Sequence, residues 1–172
     1  MRGFFDTLHS IASKVFTYLA SITLTGTDGS TLTVSGDVTI GQSPTEWTPG
    51  IAFGGASVGV TYHASNGGSY VKTGKVVVFS GRLILTSKGS SNGDAYITGL
   101  PFAAENNNYS YTPVSLDSET ITFSGQMSGS VYKNTTTIEL VESTLAGVRS
   151  TITDADFANT SELRVSGAYF TP

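Results

Sequence analysis

The run from Lys75 to Leu85 constrains this chain more than any other segment. Val77, Phe79, Leu83 and Leu85 fall on one side of a two-residue repeat, and Val76, Val78 and Ile84 fall on the other. A period of two with β-branched residues predicts a strand. Apolar side chains on both faces predict that both faces are covered, one by the protein's own core and one by something beyond it. A second subunit is the economical cover, so Val76, Val78 and Ile84 are candidate subunit-contact residues.

The surrounding stretch from Trp47 to Pro101 has the same character, with alternating segments punctuated by glycine. Further strands are predicted at Ile51 to Phe53, Val58 to Tyr62, Ser69 to Lys72, Asp94 to Thr98, Tyr109 to Ser115, Thr120 to Phe123, Ser130 to Lys133, Thr137 to Val141 and Leu163 to Phe170. Turn signals separate them, among them Asn66-Gly67-Gly68, Thr73-Gly74, Lys88-Gly89 and Asn92-Gly93. Thr153 to Phe157 reads as a short capped helical turn before the last strand. Many short strands joined by tight turns predict a mainly β protein, an antiparallel β-sandwich or jelly-roll-like head.

The first 42 residues read differently. Phe4, Leu8, Ile11, Val15, Tyr18 and Ile22 recur at helical spacing, and Phe5, Ala12, Phe16 and Leu19 widen the stripe. This predicts an N-terminal amphipathic α-helix whose broad aromatic face docks into something larger, or covers the chain's own β-core. A short β-hairpin around Asp28-Gly29 and Gly36-Asp37 is expected next, too small to stand alone. Gly41 to Pro49 reads as a linker, giving an N-terminal segment 1–42 and a head 43–172.

Composition narrows the function. Of the 172 residues only 13% are charged, about half the usual share, and Ser, Thr, Gly and Asn fill the gap. Nine scattered Lys and Arg against a net charge of −4 leave no basic footprint for nucleic acid. No apolar run approaches the ~18 residues of a membrane span, and Asp6, His9 and Lys14 interrupt any secretory leader. With no cysteine, neither disulfides nor thiolate chemistry enter.

Catalytic signals are weak throughout. His9 and His63 are the only histidines, which predicts no metal centre, no cofactor and no Ser-His-Asp constellation; no Gly-x-Ser-x-Gly elbow is present. The glycines from Phe53 to Val60 precede no helix and cradle no phosphate. Asp94, Glu105, Asp117 and Glu119 lie near predicted loops and are the carboxylates a glycan hydrolase would use. Tyrosines concentrated in the β-region suggest sugar stacking, with Tyr62, Asn66, Asn107 and Tyr109 as candidate glycan contacts. Asn108, Asn134 and Asn159 each begin a glycosylation sequon.

Trp47-Thr48-Pro49, Phe53-Gly54-Gly55, Leu85-Thr86-Ser87-Lys88-Gly89-Ser90, Ile97-Thr98-Gly99-Leu100-Pro101 and the ending from Asp154 to Ser161 with Val165-Ser166-Gly167-Ala168-Tyr169 together carry a resemblance. They resemble a β-domain of tail fibres, collar fibres and other displayed proteins of tailed bacteriophages, over roughly Trp47 to Phe170. Leu19 to Gly29 is similar to the start of such fibres. The resemblance implies a non-catalytic virion protein, a homotrimer with a jelly-roll-like head, in which Val76, Val78 and Ile84 would form the trimer interface. It further implies that Phe4, Phe5, Leu8, Ile11, Val15, Phe16, Leu19 and Ile22 bind other virion proteins in capsid, collar or tail. A receptor-binding, glycan-recognising fibre tip is the rival expectation, and a small glycan hydrolase the third.

Overall fold

The computed structural model describes residues 43–172. The helix expected from Phe4 to Ile22, the anchoring residues on it and the hairpin after it lie outside the described residues.

Eleven strands follow one another: β1 (Thr45–Trp47), β2 (Gly50–Phe53), β3 (Val60–Tyr62), β4 (Gly67–Thr73), β5 (Val76–Lys88), β6 (Ala95–Thr98), β7 (Thr112–Ile121), β8 (Gln126–Val131), β9 (Ile138–Ser143), β10 (Arg149–Thr151) and β11 (Phe157–Phe170). All pairings are antiparallel. The strands lie in the order β1-β4-β5-β11-β7-β8-β9-β6-β2, with β3 beside β5 and β10 beside β9. β1 and β2 stand at opposite ends of that path, yet only Thr48 and Pro49 separate them in the chain. The sheet must therefore curl round on itself, and Phe53 of β2 meets Phe157 of the central β11 edge to face at 5.1 Å. The mainly β, antiparallel class stands, as a curled sheet around a single core.

Alternation decides what enters that core. Along β5, Val77, Phe79, Leu83 and Leu85 are buried while Val78, Ser80, Arg82 and Thr86 are exposed. Leu163, Val165 and Tyr169 of β11 join them from the next strand, and Ile97, Ile138 and Leu140 from the far side of the curl. Burying a Leu, Ile or Phe side chain contributes about 1.5–3 kcal/mol each, so this inner face supplies most of the driving force. Tyr169 brings a polar tip inside, where its hydroxyl donates to the Phe102 carbonyl at 3.0 Å. Burial pushes that hydroxyl up to about 12.

Several boundaries differ from expectation. The expected linker contains β1, and Trp47 is a core residue: its indole Nε1–H donates to the Ser80 carbonyl at 2.9 Å, and its ring packs edge-on against Phe79. The ring fits because Gly68 and Gly81 lie opposite each other beneath it. A Cβ on Gly68 or Gly81 would stand 2.3 or 2.6 Å from the indole.

Thr120 to Phe123 is not a strand of its own. β7 runs unbroken from Thr112 to Ile121, and Thr120 near its end takes a left-handed φ of 57°. That conformation is unfavourable for a β-branched residue, and side-chain bonds brace it: Thr120 Oγ1 donates to the Thr160 carbonyl at 2.9 Å, and Ser161 Oγ donates to the Thr120 carbonyl at 2.7 Å. The brace sits where the β7–β11 register shifts. β11 accordingly starts at Phe157, six residues before the expected Leu163. The helical turn is found as one 3-10 turn, Asp154–Asp156, with the Asp156 carboxylate accepting from the Thr153 amide at 2.8 Å.

Candidate interaction face

The outward face of β4, β5, β11 and β7 is the most organised surface among the described residues, and strand register sorts it into bands. Thr73, Val76 and Phe170 form one cross-strand row, and Val71, Val78 and Ala168 the next. Then come Ser69, Ser80, Ser166 and Ser115, with Glu46 of β1 extending the row. Gly67, Arg82, Arg164 and Asp117 follow, and finally Ile84, Glu162 and Glu119. One sheet face thus changes from apolar to hydroxyl to charged within about five rows, because neighbouring strands 4.7–4.9 Å apart hold their outward side chains in line.

The charged band satisfies itself. Arg82 grips Glu162 with two N–H donors, Nε to Oε1 and Nη2 to Oε2, both at 2.7 Å. Arg164 bridges onward, reaching Glu162 Oε1 at 2.5 Å and Asp117 Oδ2 at 2.6 Å. Glu162 is buried while its partners are about half exposed. The two guanidiniums hold its carboxyl below the usual carboxylate range against the opposing effect of burial, so it stays ionised. Two-point Arg–carboxylate contacts of this kind are the stronger and more directional ion pairs. Between the serine and charged bands lies an open groove of about 460 Å³, lined by Ser69, Ser80, Arg82, Ser115, Asp117 and Ser166 among others.

Among the described residues the apolar band has no such internal partner. Val78 is 55% exposed and Phe170 57%; Val71 and Val76 are half-buried. Of the expected subunit contacts, Val76 and Val78 lie together here. Ile84 does not join them, since the serine and arginine rows intervene and Glu162 stands opposite it.

The candidate glycan contacts separate into two places. The Tyr62 hydroxyl accepts from the Ile51 amide at 2.9 Å. Asn66 donates to the Pro49 carbonyl at 2.9 Å and accepts from the Ile84 amide at 3.2 Å. Both therefore staple backbone at the Ile84 end of β5. Asn107 and Tyr109 belong to the loop tied to Phe170 through the Glu105 amide, at the Val76 end, roughly 25 Å away along the strand. Asn107 Oδ1 accepts from the Tyr109 amide and from Ser110 Oγ, each at 2.8 Å, so Asn107 shapes the loop. Tyr109 alone of the four is free, at 95% exposure.

What the sequence reading missed is the company Tyr109 keeps. Tyr111 and Tyr132 meet edge to face at 5.0 Å, both partly exposed, with Lys133 Nζ 5.7 Å from the Tyr111 ring centre and 2.8 Å from Asn108 Oδ1. The pairing of Thr112 with Val131 brings these residues together, and nothing local in the chain announces it.

The four carboxylates are dispersed as well. Asp94 accepts from Thr151 Oγ1 near the 3-10 turn, Glu105 accepts from Asn107 at the opposite end, and Asp117 and Glu119 share the outward face of β7.

No family profile and no curated protein sequence matches the chain. The fold itself has a solved counterpart. It is similar to part of the crystal structure of the Dettilon tailspike protein, with a TM-score of 0.59 and 19% sequence identity. The match covers 74% of this chain and 23% of the tailspike, so this chain spans under a quarter of that protein's length. At such identity the likeness is one of fold.

Proposed function

We propose that this chain is a phage virion protein, a short trimeric fibre or decoration protein that displays its β-head and performs no catalysis. The observation that carries the reading is the shared fold with a tailspike protein over 74% of the chain. The fibre-like motifs from Trp47 to Tyr169 and the self-satisfied charged band support it. In this reading residues 1–42 bind capsid, collar or tail through the apolar face of Phe4, Phe5, Leu8, Ile11, Val15, Phe16, Leu19 and Ile22. Threefold repetition converts modest single-site affinity into avidity of about 10²–10⁴.

Electron microscopy of intact particles carrying a tagged copy tests this directly, with density for the head at a fixed virion position expected. Removing residues 1–20 should leave a folded head that no longer attaches. Absence from purified particles overturns the reading, and continued attachment of the truncated chain overturns the anchor.

The exposed tyrosine cluster favours a second reading, a head that also recognises host glycans. Tyr109, Tyr111 and Tyr132 offer rigid aromatic faces at low entropic cost, and Lys133 and Asn108 stand beside them as polar groups. A glycan array probed with the full chain should then give signals lost in Tyr109→Ala and Tyr111→Ala; silence removes this reading and leaves the first. Depolymerisation of host polysaccharide, abolished by Asp117→Asn or Glu119→Gln, would replace both with a hydrolase.

A further inference from the structure

We infer that the open trough on the outward face of β1, β4, β5, β11 and β7, along the row Glu46, Ser69, Ser80, Ser166 and Ser115, binds a neutral sugar chain. The inference goes beyond both readings above, since it uses neither the attachment of the chain to a particle nor the tyrosine cluster.

Shape indicates an elongated occupant. The groove of about 460 Å³ between the serine and charged bands shares Gly67 and Gly68 with a second hollow of about 340 Å³, lined by Glu46, Ser65 and Asn66 among others. Gly67 keeps the two joined: it stands in the outward row beside Arg82, and the place its Cβ would take has nothing within 4 Å. From Glu46 to Ser115 the row crosses five strands, roughly 19 Å at the usual strand spacing. That length suits a short chain of sugars better than a single ring.

Chemistry selects the class. A sugar presents hydroxyls that both donate and accept, together with an apolar C–H face. On the floor of the trough Ser80, Ser115 and Ser166 are exposed, and a serine hydroxyl likewise donates and accepts. Along one wall the two guanidiniums are fixed by Glu162. Arg82 Nη1 is left as a donor and Asp117 Oδ1 as an acceptor, each without a partner among the described residues. Groups already held in place lose little freedom when a ligand arrives. Val71 and Val78 form the other wall and match the C–H face. Charge narrows the class further: Arg82 and Arg164 are balanced by Glu162 and Asp117, and Glu46 and Glu119 stand at the margins. No surplus positive charge is left to hold a polyanion, which sets nucleic acid and acidic polysaccharide aside.

The test probes the full chain with an array of neutral and acidic oligosaccharides, and the strongest neutral one is then titrated in solution. Wild type should bind it with an affinity that hardly changes as salt is raised. Gly67→Leu plugs the trough without disturbing the fold, because its Cβ meets open space and its φ is not left-handed. It should weaken binding at least about tenfold with the circular dichroism of the head unchanged. Asp117→Ala removes an exposed acceptor and should weaken binding by a similar factor, whereas Tyr109→Ala should bind this sugar as wild type does. Binding that is lost in Tyr109→Ala and kept in both Gly67→Leu and Asp117→Ala overturns the trough and leaves the tyrosine cluster as the site. Binding confined to acidic glycans and weakened by salt overturns the inference as well. A wild-type chain that binds no sugar overturns it together with the glycan-recognition reading, and leaves the display reading standing.

Discussion

The two faces of β5 and β11 are built from neighbouring residues of the same strands and yet behave as different materials. Inward, Phe79, Leu83 and Leu163 are 0–3% exposed and are held by aromatic edges and a glycine-floored indole. Outward, one pair of rows carries the ion-pair network of Arg82, Glu162, Arg164 and Asp117, and another, among the described residues, is uncovered valine and phenylalanine. The contrast teaches that alternation alone does not assign a role to a strand face. An outward apolar row and an outward charged row have the same periodicity, but only the first leaves surface that water covers badly.

The comparison breaks most readily at the strand centre. Phe79→Ala should cost about 3–5 kcal/mol, whereas Val78→Ala, one residue away, should stay within about 0.5 kcal/mol for the isolated fold. Chemical denaturation of both, monitored at low concentration, checks the ratio, and comparable losses would mean that the outward face is part of the core. The glycines sharpen the same point. Gly81→Ala pushes a methyl to 2.6 Å from the indole of Trp47 and should cost about 1–3 kcal/mol. Gly67→Ala faces open space without a left-handed φ, and should be neutral or stabilise by up to about 1 kcal/mol through the unfolded state.

The smallest effect concerns the charged band. Glu162 has a folded-state value lowered by Arg82 and Arg164, below an unfolded value of about 4.3. Its contribution is therefore complete above that pH and is lost as the pH falls through the lowered value. The thermal midpoint of the wild type should fall more steeply below about pH 4.3 than that of Glu162→Gln, and parallel curves would show that the network adds nothing to folding.

Local pattern made much of this readable. The two-sided alternation of Lys75 to Leu85 correctly placed Val77, Phe79, Leu83 and Leu85 on the inner face, the Thr73-Gly74 signal marked the β4–β5 turn, and Asn92-Gly93 lies in the connection between β5 and β6. The polar start of β11, Ala158 to Ser161, looked like loop because its strand character comes from lying between β5 and β7. β10 was invisible because Arg149, Ser150 and Thr151 are all exposed and carry no apolar repeat.

Side-chain period is a property of the backbone, so the chain alone could state which residues of a strand share a face. Register is a property of pairs far apart in the chain. Only the folded structure could therefore decide that Trp47 lies over Gly68 and Gly81, that Tyr62 and Asn66 are engaged as internal staples while Tyr109 remains free, and that Val76 and Val78 share a band from which Ile84 is excluded. Each of those outcomes depends on which strands lie side by side, and that choice is made by the curl of the whole sheet around one core.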